Sequence, residues 1–236
     1  IKEKWLEELF PNDVTEKTEA MFSPTLKRVV SKHWKEFRGL ELESKCTQDA
    51  DPQQAAEIIA AEVIAERLTI PKWDEQIEKW IARVNCLAKA CPDYGIPEID
   101  DEAREAMIQE ICFGAVCRKD LKERPVKKVV KSWLTSMQRD MVDKQAPERI
   151  KLPSGFGCRV RYEAGLPPVI SATIQKLYGL EESPRIGFGQ IPVVVEALAP
   201  NQRPQQKTTD MKSFWANSYP LLKKELKGRY PKHEWR

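Results

Sequence analysis

No stretch of the 236 residues stays apolar long enough to cross a bilayer, which takes roughly 20 apolar residues. The first ten residues interleave Lys2, Glu3, Lys4, Glu7 and Glu8 with apolar positions, a pattern unlike a signal peptide. An initiator methionine is missing too: the sequence opens at Ile1 inside a helical pattern and reads as a fragment of a longer chain. A phosphate-binding loop needs Gly-x-x-x-x-Gly-Lys followed by Ser or Thr, and no such run occurs. The nearest glycine pairs, Gly155-Phe156-Gly157 and Gly187-Phe188-Gly189, lack the lysine and the following helix start, and they read as turns. Histidine is scarce. Of the two, His33 sits in Lys32-His33-Trp34-Lys35, where it reads as an exposed polar residue, and His233 sits in a basic terminal run. Neither stands with a nucleophile and an orienting acid as base-activated catalysis requires. The acidic pairs Asp100-Asp101 and Glu181-Glu182 fall at helix ends, where they complement a helix dipole. No catalytic centre and no cofactor are expected in this chain.

Cysteine is sparse for a disulfide scaffold: Cys46, Cys86, Cys91, Cys112, Cys117 and Cys158 are spread through the chain. Cys86/Cys91 and Cys112/Cys117 repeat a five-residue spacing, but five helical residues turn a side chain to roughly 140° from its start. Zinc pairs sit closer together, so these read as buried, reduced thiols, and no metal site is expected. The setting implied is cytoplasmic.

Charge is unevenly placed. The net formal charge is +3, but residues 147–236 carry 15 Lys or Arg against 8 Asp or Glu, leaving residues 1–146 net acidic. An anionic partner is expected at the basic end.

Patterning divides the chain into three segments. Residues 1–50 read as a short helix from Lys2 to Phe10, stopped by Pro11, then two or three short strands. These lie around Met21 and Phe22, around Val29 and Val30, and around Phe37, Leu40 and Leu42, with Gly39 inside the third. Residues 51–146 read as a helical bundle. Pro52 follows Asp51 at a helix start, and further helices run near Trp73 to Ala90, Asp100 to Cys117 and Val126 to Val142. Residues 147–236 return to strands. A β-hairpin is expected over Ile150 to Tyr162 around Pro153-Ser154-Gly155, and an amphipathic helix over Val169 to Gly179. A strand over Ile191 to Leu198 follows, and then a terminal helix from Asp210, as N-cap, to Lys227, with Gly228 as its stop. The class is α+β: a small OB-like antiparallel barrel or sheet, a helical-bundle insertion and a C-terminal mixed α/β segment.

The terminal run from Trp215 to Arg236 interleaves cations with aromatics, a combination that can hold a phosphate backbone while rings stack on bases. Lys223, Lys224, Lys227, Arg229, Tyr230, Lys232, His233 and Trp235 are the candidate nucleic-acid-binding residues. Trp215, Tyr219 and Leu222 fall at helical spacing and fit a core equally well, so a docking or packing role stays open.

The same region carries a family resemblance. Asp210-Met211-Lys212-Ser213-Phe214-Trp215, then Tyr219, then Lys223-Lys224-Glu225-Leu226-Lys227-Gly228-Arg229-Tyr230-Pro231-Lys232-His233-Glu234-Trp235 closely resembles the C-terminal signature of the bacterial HrpB helicases. Leu152-Pro153-Ser154-Gly155, Pro168-Val169-Ile170, Gln175-Lys176-Leu177-Tyr178-Gly179 and Arg203 to Asp210 look like the same family in the same order, as do Trp5 to Pro11 and Ala146-Pro147. Arg161-Tyr162 departs from it, since the family usually places an acid before the tyrosine. The resemblance implies a parent DEAH-box ATP-dependent RNA helicase whose two motor domains precede Ile1 and bind ATP and magnesium. It also implies an OB-like barrel along the nucleic-acid channel, with strands near Met21 to Leu42 and Ile150 to Tyr162 as its candidates. The implied partners are single-stranded RNA and the motor domains of the same chain, with no membrane. The alternative is a protein-docking or intramolecular platform that does not touch nucleic acid.

Overall fold

The computed structural model describes Trp5, Leu9, Phe10 and residues 12–236, so the helix expected from Lys2 to Phe10 lies largely outside the described residues. Three strands come first: β1 (Val14–Ser23), β2 (Arg28–Phe37) and β3 (Leu40–Thr47). Helices α1 (Pro52–Ile64), α2 (Glu75–Ala90), α3 (Asp101–Cys112), α4 (Val126–Ser132) and α5 (Ser136–Gln145) follow. Next come β4 (Arg149–Lys151), β5 (Gly157–Arg161), β6 (Val169–Thr173), α6 (Ile174–Leu177), β7 (Arg185–Ile186), β8 (Ile191–Pro192), β9 (Val194–Leu198) and β10 (Pro204–Thr208). The chain ends in α7 (Met211–Ser213), a π-helical turn (Phe214–Ser218) and α8 (Tyr219–Arg229). The class is α+β. The chain forms two compact units, residues 1–74 with 100–130, and residues 75–99 with 131–236.

In the first unit β1, β2 and β3 form an antiparallel meander. Arg38 and Gly39 alone join β2 to β3, both with positive φ (50° and 87°), the backbone of the tight hairpin turns whose twist matches the strands. Phe37 therefore ends β2, and Gly39 sits outside the third strand, not within it. Asp51 caps α1, accepting from the Gln54 amide at 2.9 Å. Ala55, Ala56, Ile59 and Ala60 form the buried stripe of α1, which packs on α3 and on β1 and β2. Beyond α3, Val116 accepts from the Val29 amide at 3.0 Å, and Lys27 accepts from the Arg118 amide at 3.0 Å.

In the second unit α2 buries Ile77, Trp80, Ile81, Val84 and Leu87. It also buries Arg83, whose guanidinium donates to the Ala146 carbonyl at 2.8 Å, to Asp143 at 2.8 Å and to Glu148 at 3.0 Å. Five strands form a mixed sheet in the order β10-β9-β6-β5-β4, with β6 and β9 parallel and the other neighbours antiparallel. Cys158, Val160, Ile170, Ala172, Val195 and Ala197 alternate onto its buried face.

Several expectations need correcting. The strands near Met21 to Leu42 and those near Ile150 to Tyr162 belong to different sheets, and neither sheet closes into a barrel among the described residues. The meander covers itself with a helix, while the hairpin of β4 and β5 extends a sheet centred on the parallel pair. The helix expected over Val126 to Val142 is two helices. Thr135 breaks it with a capping box, its hydroxyl accepting from the Gln138 amide and its own amide donating to the Gln138 side chain. Val169 to Thr173, read as helix, is strand β6, and only α6 is helical before Gly179 (φ 84°). The stretch from Ile191 is divided as well: β8 pairs with β7, and β9 lies in the larger sheet. Gly228 does not stop the last helix, which runs on through Arg229.

Candidate nucleic-acid interface

The C-terminal segment begins where Asp210 caps α7, accepting from the Ser213 amide at 2.9 Å. Pro220 has no amide hydrogen, and its ring crowds the carbonyl four residues back. The helix meets this by widening: the Tyr219 amide reaches back to the Phe214 carbonyl, one residue further than in an α-helix. Phe214 is buried there, with its ring edge-on to Trp215 at 4.9 Å. Trp215 in turn lies 5.0 Å from Tyr219 and donates through Nε1 to the Leu180 carbonyl at 2.7 Å. Trp215 and Tyr219 thus serve packing, as their helical spacing allows.

Tyr178 and Tyr219 share a hydroxyl–hydroxyl hydrogen bond of 2.9 Å. Burial, then this bond, pushes the Tyr219 phenol well above its ordinary pKa. The tail is tied to the same pair. The Tyr178 hydroxyl lies 3.1 Å from the Glu234 carbonyl, and the Tyr219 hydroxyl 2.9 Å from that of Arg236. The Arg236 guanidinium lies 4.9 Å from the Tyr178 ring centre. Tyr178, Gly179, Leu180, Glu181, Trp215, Tyr219 and Arg236 line an open cleft of about 330 Å³.

The candidate residues divide by exposure. Lys224, Lys227, Arg229, Lys232 and His233 are exposed, whereas Lys223, Tyr230 and Trp235 are half-buried. Lys224 and Lys227 are three residues apart on α8, close enough to share a face. Lys224, Lys227 and Lys232 have no ion-pair partner among the described residues, while Arg229 meets Glu225 at 3.4 Å. Lys223 turns inward to the Arg236 carbonyl at 2.5 Å. Trp235 donates through Nε1 to the Tyr230 carbonyl at 3.0 Å, which holds the indole against the tail, and the Tyr230 ring lies edge-on to His233 at 6.1 Å.

The cysteines stay apart from this segment. All six are free thiols; Cys91, Cys112 and Cys158 are buried and Cys46 is exposed. Burial pushes the Cys86 and Cys112 thiols up to about 11. The cations of β4 and β5 carry a sequence signal of their own: Arg149-Ile150-Lys151 and Cys158-Arg159-Val160-Arg161 alternate charge with apolar positions as a half-buried strand does.

Comparison with known proteins agrees with this architecture. The chain is 33% identical over 172 residues to the ATP-dependent RNA helicase HrpB of Escherichia coli (strain K12), a match covering 71% of this chain and 21% of that protein. The chain thus spans about a fifth of the length of that curated relative. A crystal structure of the E. coli DExH-box NTPase HrpB superposes with a TM-score of 0.74 at 24% identity, covering 100% of this chain and 30% of that one. A crystal structure of the Escherichia coli DEAH/RHA helicase HrpB gives a TM-score of 0.66 at 25% identity, covering 95% and 29%. A family model described as ATP-dependent helicase C-terminal, HrpB_C, matches residues 108–236, more than half of the chain including the whole segment built above, and the chain belongs to that family.

Proposed function

We propose that this chain is the accessory C-terminal region of an ATP-dependent RNA helicase and that α8 and the tail after it hold the phosphate backbone of single-stranded RNA. ATP and magnesium would then belong to motor domains of the same protein, since the chain has no phosphate-binding loop of its own. Family membership supports the helicase setting. The RNA reading is carried by one observation: Lys224, Lys227 and Lys232 are exposed and without ion-pair partners among the described residues, on a segment fixed from behind by Phe214, Tyr219 and Leu226. A preformed cationic segment contacts phosphate without reading sequence.

The test is fluorescence anisotropy of the 236-residue chain with a mixed-sequence single-stranded RNA across a salt series. Lys224→Ala/Lys227→Ala/Lys232→Ala is expected to flatten log K against log salt by about 2, at about 0.7 per lost contact. An unchanged slope in the folded triple variant overturns the reading. The docking alternative is favoured by Leu221, 69% exposed on α8. On that reading Leu221→Ala weakens association with the separated motor domains while salt has little effect.

A further inference from the structure

β3 is the outermost strand of the meander, with β2 on one side and, among the described residues, no strand on the other. Such an edge offers its unpaired amides and carbonyls to any further strand, and folded chains guard it with charge or with bulges. Both devices are present. The β2–β3 register shifts between Lys35 and Glu36 and leaves Leu42 unpaired, a bulge near one end of the strand. Beyond it the regular pairing runs from Glu43, opposite Lys35, to Thr47, opposite Ser31. Glu43, Ser44, Lys45 and Cys46 are all exposed along this stretch.

The charges on this edge are self-complementary. Glu43 and Lys45 have no ion-pair partner among the described residues, and Lys35, opposite Glu43, lies 3.9 Å from Glu16 on the far strand. They stand two residues apart, so the alternation of a strand puts them on one face with Ser44 between them. A second copy of β3 laid antiparallel about a twofold axis at Ser44 sets Glu43 of each copy opposite Lys45 of the other. Opposite charges directly across two strands are stabilising, and like charges are destabilising. An unrelated strand therefore meets this edge at a cost, while a second copy meets both charges with the opposite sign. The β1 edge is less suited. The same symmetry about Thr18 would set Lys17 against Glu19, but Lys17 is already paired with Glu36, and α1 packs on β1.

We infer that β3 is a self-pairing edge through which two copies of this chain join, with Glu43 and Lys45 of each meeting Lys45 and Glu43 of the other. The two three-stranded meanders then form one continuous antiparallel sheet. Main-chain hydrogen bonds supply the affinity, as in other strand additions, and the reciprocal charge pairs set the register. The same patch is used by both copies, so the assembly closes at two. A contact this narrow belongs to the weak, concentration-dependent class of interfaces.

The test is sedimentation velocity of the 236-residue chain. Between about 1 and about 200 µM, the range suited to a small interface, the parent chain is expected to pass from monomer to dimer. Lys45→Glu and Glu43→Lys each set like charges opposite each other in a homodimer and should raise the dissociation constant about tenfold or more. Mixed in equal amounts the two variants should dimerise again, because the mixed pair alone restores opposite charges at both contacts. The exchange Glu43→Lys/Lys45→Glu within one chain should dimerise as the parent does. Thermal melting confirms that each variant folds. A parent chain that stays monomeric across the range overturns the inference. So does a dimer that survives both single reversals, since it would use another surface. Reversals that abolish the dimer without recovery on mixing overturn the pairing of Glu43 with Lys45.

Discussion

On the β1–β3 meander cations meet carboxylates across the strands. Lys17 lies 2.8 Å from Glu36, Lys32 2.7 Å from Glu41 and Lys35 3.9 Å from Glu16, and Arg38 in the β2–β3 turn lies 2.6 Å from Asp13. On the five-stranded sheet Arg149 faces Arg159, and a single carboxylate, Glu196, serves two cations. The difference is one of position more than of amount, because both sheets are rich in lysine and arginine. Strand pairing decides whether a charge is neutralised within the fold or left for a partner. A surface ion pair across two strands contributes little to stability and is screened by salt. A cation row without counter-charges costs some stability and presents a steady positive field.

The largest expected effect removes the buried anion. The Ser171 hydroxyl holds the Glu196 carboxyl below its ordinary value of 4.5, assisted by Lys207 and Arg161 and opposed by burial. Glu196→Ala is expected to lose about 2 kcal/mol, the scale of hydrogen bonds to a charged group in a partly buried setting, read by urea unfolding at pH 7. A carboxyl whose folded pKa lies below its unfolded value contributes stability that is complete above the unfolded value and lost as pH falls through the folded one. Glu196→Gln should therefore differ most from the parent chain at neutral pH, with the two unfolding curves converging in acid. An equal gap at pH 7 and at pH 3 would show that the carboxylate charge contributes nothing.

Sequence periodicity reveals the apolar halves of these elements better than their partners. Asp51 before Pro52 and Asp210 before Met211 announce caps that the structure contains, because capping depends on residues three apart. Val169 to Thr173 misled because Val169, Ile170, Ile174 and Leu177 mimic a helical stripe. The pairing with β9 that makes the segment a strand lies more than twenty residues away. Pro204–Thr208 carries no apolar alternation, as suits a polar edge strand, and so went unread. The basic terminal run could be seen because it is contiguous. The basic sheet face could not, because β4, β5 and β10 contribute its cations from separate parts of the chain. The recruitment of residues 100–130 to the first unit has the same cause.

A smaller effect tests the like-charge pair itself. Arg159→Gln removes the cation opposite Arg149 without touching an ion pair, so it should raise the melting temperature by about 1 to 2 °C. The gain should fade in 0.5 M salt, where repulsion between exposed charges is screened. A loss of stability would mean that the Arg159 stem packs on the sheet and contributes more than its charge costs.

The smallest effect belongs to the meander. Lys17→Ala, Glu36→Ala and the double variant form a cycle across β1 and β2, with Glu36 held below its ordinary pKa chiefly by its hydrogen bond from Lys17. Each single change should lower the melting temperature by less than about 1 °C, and the double change should cost less than the two singles together. High salt should abolish that coupling, because the pair lies at the surface. Coupling that survives 0.5 M salt would mean that the pair fixes the β1–β2 register through geometry as well as charge. The contrast between the sheets would then lie in how tightly each holds its strands, and the unpaired cations of the five-stranded sheet would no longer be its distinguishing mark.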